Sequence, residues 1–245
     1  MKFTRTILCL ITGWACVASF AVPQEGTLET GAPKGTTAQE IIQKFTAKEK
    51  EFKNVRKKCT YRQTVKMQAL DGESVTEEYQ QVADVRLDDS GKKVKTIVLA
   101  PQPTMTLSPE DAEDIESRLH FTLSADELPE YTVSYVGRQQ EDDLHCYVFD
   151  VAPKQIEKNR RYFQGRIWVD ERDLQIVKMT GKSAPDLLQK KKGQNLFPKF
   201  TTYSEVIGGK YWFPTYSATD DMLHFPTGDV HIKGTVKASD YKCAP

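Results

Sequence analysis

The stretch Tyr162 to Lys182, YFQGRIWVDERDLQIVKMTGK, alternates apolar and polar residues on both sides of the charged turn Asp170-Glu171-Arg172-Asp173. Successive side chains of a strand point to opposite faces, so alternation with a period of two, broken by a turn, marks a hairpin with one buried face. A helix would scatter the same residues around its circumference. Pairing Val169 with Leu174 puts Ile167 opposite Ile176 on one side, and leaves Arg166, Trp168, Val177 and Met179 on the other.

The pattern repeats from Thr60 towards the C-terminus. Tyr61, Gln63, Val65, Met67 and Ala69 alternate with polar neighbours, as do Val75, Tyr79, Ala83, Val85 and Leu87 after Asp71-Gly72. A two-residue Asp-Gly turn would split these sets across both faces, so a three-residue bulged turn is expected. Pairing Arg138 with Leu144 sets Tyr131, Val133 and Tyr135 opposite Val151, Phe149 and Tyr147. Gly208-Gly209 pairs Ile207 with Lys210 and aligns Phe200, Val206, Tyr211 and Phe213. A last hairpin turns at Pro226-Thr227-Gly228-Asp229. Roughly nine to eleven strands in sequential hairpins make an antiparallel sheet with neighbour connections.

Two segments read as helices. Thr37-Ala38-Gln39-Glu40 fits a capping box, and Ala38, Ile41, Ile42, Phe45, Phe52 and Val55 follow at helical spacing to about Asn54, with Lys48 and Glu49 interrupting the stripe. Ser108-Pro109-Glu110-Asp111 is an N-cap, a proline and an acidic first turn, opening a helix that bears Ile115 and Leu119. A further turn is expected from Ser124 to Leu128. A long sheet curls, so the expected class is α+β, mostly β, with a curled sheet of roughly ten strands and helices covering its concave face.

Lys2 and Arg5 precede an apolar run to Phe20 that ends in Ser19-Phe20-Ala21, the pattern of a cleavable secretory signal peptide over residues 1–21. Residues 22–36 are rich in Gly, Pro, Thr and Glu and read as a flexible leader, with a single domain over 37–243. The chain carries 34 basic and 34 acidic residues, which gives no global field for nucleic acid. The short basic runs, Lys190-Lys191-Lys192 among them, read as solvated surface, and a monomer is expected. Cys9 and Cys16 leave with the signal peptide. Cys59, Cys146 and Cys243 remain, so at most one internal disulfide forms, and spacing leaves the pairing open.

The common catalytic templates fail. There is no G-x-S-x-G, no phosphate-cradling glycine loop before a helix and no H-E-x-x-H. Pairing Phe225 with Val230 sets His224 and His231 across the strands, with Asp221 and Asp229 near, which is the start of a zinc set and the basis of a metal-dependent hydrolase reading. No third ligand is evident, so neither a metal nor another cofactor is expected. His120 and His145 are isolated and read as structural, and the acids from Glu110 to Glu116 complement a helix dipole. Arg166 and Trp168, on one strand face, are candidates for an anionic headgroup.

YFQGRIWVDERDLQIVK together with GGKYWFPTYS resembles the bacterial outer-membrane lipoprotein-sorting proteins of the periplasmic lipoprotein carrier (LolA-like) superfamily, most clearly from Tyr131 to Lys237. The resemblance implies an incomplete antiparallel barrel around lid helices, with a cavity for acyl chains. It further implies a non-enzymatic periplasmic carrier of lipid or lipoprotein acyl chains, loaded and unloaded by membrane-protein donors and acceptors. Under that reading the strand faces assign the cavity wall to Val65, Met67, Tyr79, Val133, Tyr135, Tyr147, Phe149, Ile167, Ile176, Phe200 and Phe213. The superfamily also includes envelope-stress sensors, so the alternative is a sensor or scaffold of the same fold that binds a protein.

Overall fold

A computed structural model describes residues 25–88, 93–117, 121–157, 160–184 and 198–244. The expected signal peptide, Leu119, His120 and the Lys190-Lys191-Lys192 run lie outside them. In chain order the described residues form α1 (Ala38–Arg56), β1 (Cys59–Asp71), β2 (Ser74–Leu87), β3 (Lys93–Leu99), α2 (Pro109–Ser117), β4 (Tyr131–Glu141), β5 (Leu144–Pro153), β6 (Tyr162–Asp170), β7 (Ile176–Ala184), β8 (Phe200–Ile207), β9 (Tyr211–Phe225) and β10 (Gly228–Cys243). A short 3-10 turn, Leu128–Glu130, precedes β4 and lies a few residues beyond the start expected at Ser124.

The strands make one antiparallel sheet in the order β3-β2-β1-β10-β9-β8-β7-β6-β5-β4. Strands consecutive in sequence are neighbours in the sheet except β3 and β4, and at one seam the last strand lies beside the first. β3 and β4 are the two edges and do not pair with each other, so the barrel is incomplete as the resemblance implied. The chain leaves one edge after β3 and re-enters at the other with β4, and α2 lies on that passage. Cys59 and Cys243 sit opposite each other across the β1–β10 seam and form a disulfide, and Cys146 is a buried thiol.

Each hairpin expected from the sequence is present, and all but the last carry an irregularity that alternation did not disclose. Between β1 and β2 the turn is the two-residue Gly72-Glu73, not a three-residue loop, and the extra residue is absorbed in a bulge where Thr76 Oγ1 donates to Ala69 O at 3.1 Å. The effect on facing is the one anticipated: Met67 pairs with Tyr79 and Tyr61 with Val85. In β4–β5 a two-residue turn, with Asp142 at φ 50°, pairs Glu141 with Leu144. A bulge at Val136 then sets Tyr135 opposite Phe149 and Val133 opposite Val151, so the expected Arg138–Leu144 register is corrected.

In β6–β7, Asp170 Oδ2 accepts from the amides of Arg172 and Asp173 at 3.0 and 2.7 Å, which tightens the turn. A bulge then pairs Val169 with Ile176 and Ile167 with Met179, moving Met179 from its expected face to that of Ile167. Gly208 and Gly209 both have positive φ within a three-residue loop, and Ile207 pairs with Tyr211. Ile207 therefore joins Phe213 inside, and Val206 points to solvent. The last turn is Pro226-Thr227, with Gly228 opposite Phe225.

The two helices divide the concave face. The capping box of α1 forms as expected, with Glu40 N donating to Thr37 Oγ1 at 3.2 Å and Thr37 N to Glu40 Oε2 at 3.0 Å. Its Ile41, Ile42 and Phe45 lie on the half built from β4 to β8, where the Phe45 and Phe149 ring centroids are 5.4 Å apart. One end of α1 places Phe52 edge-on to Phe213 at 5.0 Å. Ile115 of α2 covers the other half, against Tyr61, Val65, Met67, Val85 and Val236.

The outer face has a smaller cluster of its own, in which Trp168 and Val177 join Cys146 and Val148. It is covered by the segment expected to be a flexible leader. Residues 25–29 run along the β4 edge instead, with Gly26 N donating to Gln140 O at 2.8 Å and Arg138 N to Glu29 O at 3.0 Å, and Leu28 packs on the Trp168 cluster. Gly137 permits this approach, because a Cβ there would stand 2.3 Å from Glu29 O. The edge of β4 is thereby closed to other strands.

Candidate functional site

Alternation along β1, β9 and β10 brings Met67, Ala69, Leu223, Phe225, Val230 and Ile232 to one end of the concave face. Gly234 pairs with Met67 and leaves room for it, since a Cβ at Gly234 would lie 2.2 Å from the thioether sulfur. The roof comes from the segment leading into α2. Thr104 and Met105 donate their amides to Glu78 O at 3.0 and 3.1 Å, fastening that segment to the outer edge of β2. Ser108 caps α2, accepting from Asp111 N at 3.1 Å and donating its own amide to Asp111 Oδ2 at 3.2 Å.

Floor and roof touch through Ile115 and Met105 without filling the space. Between them is an apolar cleft of about 370 Å³, with Met67, Ala69, Leu223 and Ile232 below and Met105, Leu107 and Ile115 above. Phe225 stands at its border with 37% of its surface exposed, unusually open for an aromatic ring beside a core. The tethers of α2 are polar: Glu116 binds Lys93 and Lys95 of β3, and Asp114 binds Arg161 at 3.3 Å and the Ser183 hydroxyl. The roof is thus held by ion pairs and hydrogen bonds together with the buried side chains of Met105 and Ile115.

Of the eleven residues assigned to the cavity wall, Met67 alone borders this cleft. Val65 lies buried under Ile115, and Tyr79 packs at the rim of that cluster with its hydroxyl accepting from Gln81 at 2.9 Å. Val133, Tyr135, Tyr147, Phe149, Ile167, Ile176 and Phe200 face the concave side as expected, but they belong to the cluster that α1 fills with Ile41, Ile42 and Phe45. Phe213 is likewise covered by Phe52. Phe200 also borders a second cleft of about 260 Å³, where Tyr131, Tyr162 and Phe163 meet Arg160 and Arg161.

Arg166 and Trp168 lie on the opposite side of the sheet from both clefts, bordering a broad outer groove of about 880 Å³. Arg166 makes a two-pronged bridge to Asp150, at 2.8 and 3.2 Å. Trp168 donates its ring N–H to Gln139 at 2.9 Å and carries Lys178 Nζ 4.4 Å from its ring centroid. Neither is positioned for the headgroup of a chain on the concave face. The histidines are corrected too, because the Pro226-Thr227 turn shifts the register by one pair. His224 pairs with Asp229, 2.9 Å from its carboxylate, and His231 pairs with Met222 and lies 2.6 Å from Asp220. Among the described residues no group of three or more metal-ligating side chains forms.

Glu49 was read as an interruption of the α1 stripe, yet it is 3% exposed and accepts from Ile176 N at 3.1 Å. Burial pushes its carboxyl up to about 7, against the hydrogen bond from Ile176 and the attraction of Arg56. One turn above Phe45 and one below Phe52, an acid surrounded by apolar positions was the available signal that this carboxylate faces the sheet.

No family model matches the chain, and no curated protein does. Solved structures similar to it include a LolA superfamily protein from Nitrosomonas europaea, 16% identical with a TM-score of 0.40, over 86% of this chain and 95% of that one. A putative outer membrane lipoprotein-sorting protein domain from Vibrio parahaemolyticus is 13% identical with a TM-score of 0.44, over 80% of this chain and 91% of that one. MucB is 11% identical with a TM-score of 0.29, over 84% and 94%.

Proposed function

We propose that this protein is a non-enzymatic carrier, exported to the periplasm by its N-terminal segment, that holds an acyl chain of a lipid or lipoprotein in the cleft beneath α2. The observation that carries this reading is the cleft itself: about 370 Å³, apolar on floor and roof, and bordered by the exposed ring of Phe225. Ligand pockets commonly span about 300–1,000 Å³, so the space suits one chain or part of one better than a whole multi-chain lipid. Each buried methylene contributes about 0.8 kcal/mol, and no covalent step is needed. Release follows when a donor or acceptor at the membrane draws α2 and its lead-in away from β1 and β10.

The test is intact mass under native and denaturing conditions on protein purified without harsh detergent. A lipid mass present in the first spectrum and absent from the second is expected. Protein that carries no lipid and takes up none from vesicles overturns the carrier. A second reading has its own support. The larger part of the concave face is filled by Phe45, Phe149 and their neighbours, as in a scaffold whose interior is self-filled and whose surface meets a protein partner.

A further inference from the structure

The polar groups at the border of the cleft bear on the class of chain it takes. Among the described residues that line it, every charged side chain is a carboxylate: Glu77, Asp111 and Asp114. They differ in their surroundings. Asp114 is 1% exposed and already held by Arg161 and Ser183, so its charge is answered within the protein. Asp111 is half-buried in the first turn of α2, where Ser108 donates to it from both amide and hydroxyl. Glu77 is exposed, and it faces the cleft because it pairs with Ala69 across β1–β2. A headgroup that reaches the border on the side of β2 and α2 therefore has Glu77 and Asp111 beside it.

A fatty-acid carboxylate or a phosphate placed there meets two like charges beside a low-dielectric wall, where Coulomb repulsion is stronger than in open water. An ester, amide or hydroxyl head meets none, and an ammonium is attracted. We infer that the cleft selects an apolar chain with an uncharged or cationic polar head, such as a glyceryl ester or an N-acyl amide, and discriminates against free fatty acids and anionic lipids. This inference rests on the carrier reading and narrows its substrate class.

The experiment compares three probes with the same hydrocarbon chain, myristate, glyceryl monomyristate and myristylamine, below their aggregation concentrations and at low salt. Expected is binding of the ester and the amine, with myristate weaker by roughly tenfold or more. Raising the ionic strength should narrow the gap, since charges at an open border are screened. Glu77→Lys should narrow it further or reverse it. Myristate binding as tightly as the ester, with no response to salt, overturns the selection and leaves the carrier standing. Failure of all three probes overturns the carrier and the selection together. The salt series uses the unmodified protein, so the result does not depend on how well the variant folds.

Discussion

Glu49 on α1 accepts a hydrogen bond from the backbone amide of Ile176, the first residue of β7, at 3.1 Å. The helix is therefore fixed to the wall by a buried carboxyl as well as by Phe45 and Phe52. A carboxyl whose folded value is about 7, against the ordinary 4.5, binds more protons in the folded than in the unfolded chain between those two values. Its contribution is fully present below 4.5 and is lost as the pH rises through about 7, to an extent on the order of 3 kcal/mol at most. Denaturant titrations from pH 5 to pH 8 should show stability falling with pH. Glu49→Gln keeps a carbonyl acceptor for Ile176 and should flatten that dependence. An unchanged slope in the variant would show that another group sets it.

The cavity-wall assignment for Phe149 makes a second test. Phe149 has no exposed surface and packs on Phe45, so Phe149→Glu should cost the fold, because an unpaired buried charge has no partner there. Ala69 is also buried, but it faces the cleft, and Ala69→Phe should extend into open space. That protein should stay folded by circular dichroism and bind a fluorescent acyl probe about tenfold more weakly or worse. A folded Phe149→Glu protein would mean that the region under α1 opens in solution.

The seam disulfide closes a loop with a sequence separation of 184 residues. Replacing both Cys59 and Cys243 by alanine should cost roughly 2–5 kcal/mol, measured by thermal melting without reductant. Cys146 stays buried behind Leu28 and the Trp168 cluster, and burial pushes its thiol up to about 12. It should resist alkylation in the folded protein. Rapid labelling of Cys146 would show that residues 25–29 leave the β4 edge readily.

Gly137→Val places a side chain where Glu29 O now lies and should expel residues 25–29. Lys178 then keeps Glu141, at 2.8 Å, but loses Glu25. A loss of about 1–3 kcal/mol is expected, with hydrogen exchange speeding up at Arg138, whose amide bonds to Glu29. Retained protection there would mean that the segment finds another path.

The sequence made the strands and their inward faces legible, because the period-two runs and the turn residues survive any small shift of register. It did not disclose the shifts themselves. An extra residue such as Thr76 or Val136 looks like any other member of an alternating run until its partner strand is present. The same limit hid the cleft. Phe149 and Met67 both read as inward-facing apolar residues, and what separates them is that α1 covers one and the short α2 roofs the other without filling the space. That is a matter of helix placement, which alternation within a strand does not encode. Arg166 and Trp168 lie apart from the cleft for a simpler reason, since their chemistry was legible but the face of the sheet that carries the cleft was not.

The strand order has a consequence for how the molecule comes into being. β10 lies between β1 and β9, so strand pairing joins β1–β3 to β4–β9 only through the last strand described. Local hairpins form as soon as their own residues are available, but the β1–β10 pairing spans almost the whole chain and bears the full cost of closing so long a loop. A chain still missing its final strand is two separate half-sheets with raw edges. The molecule therefore commits to its final shape only once its last residues are available to pair.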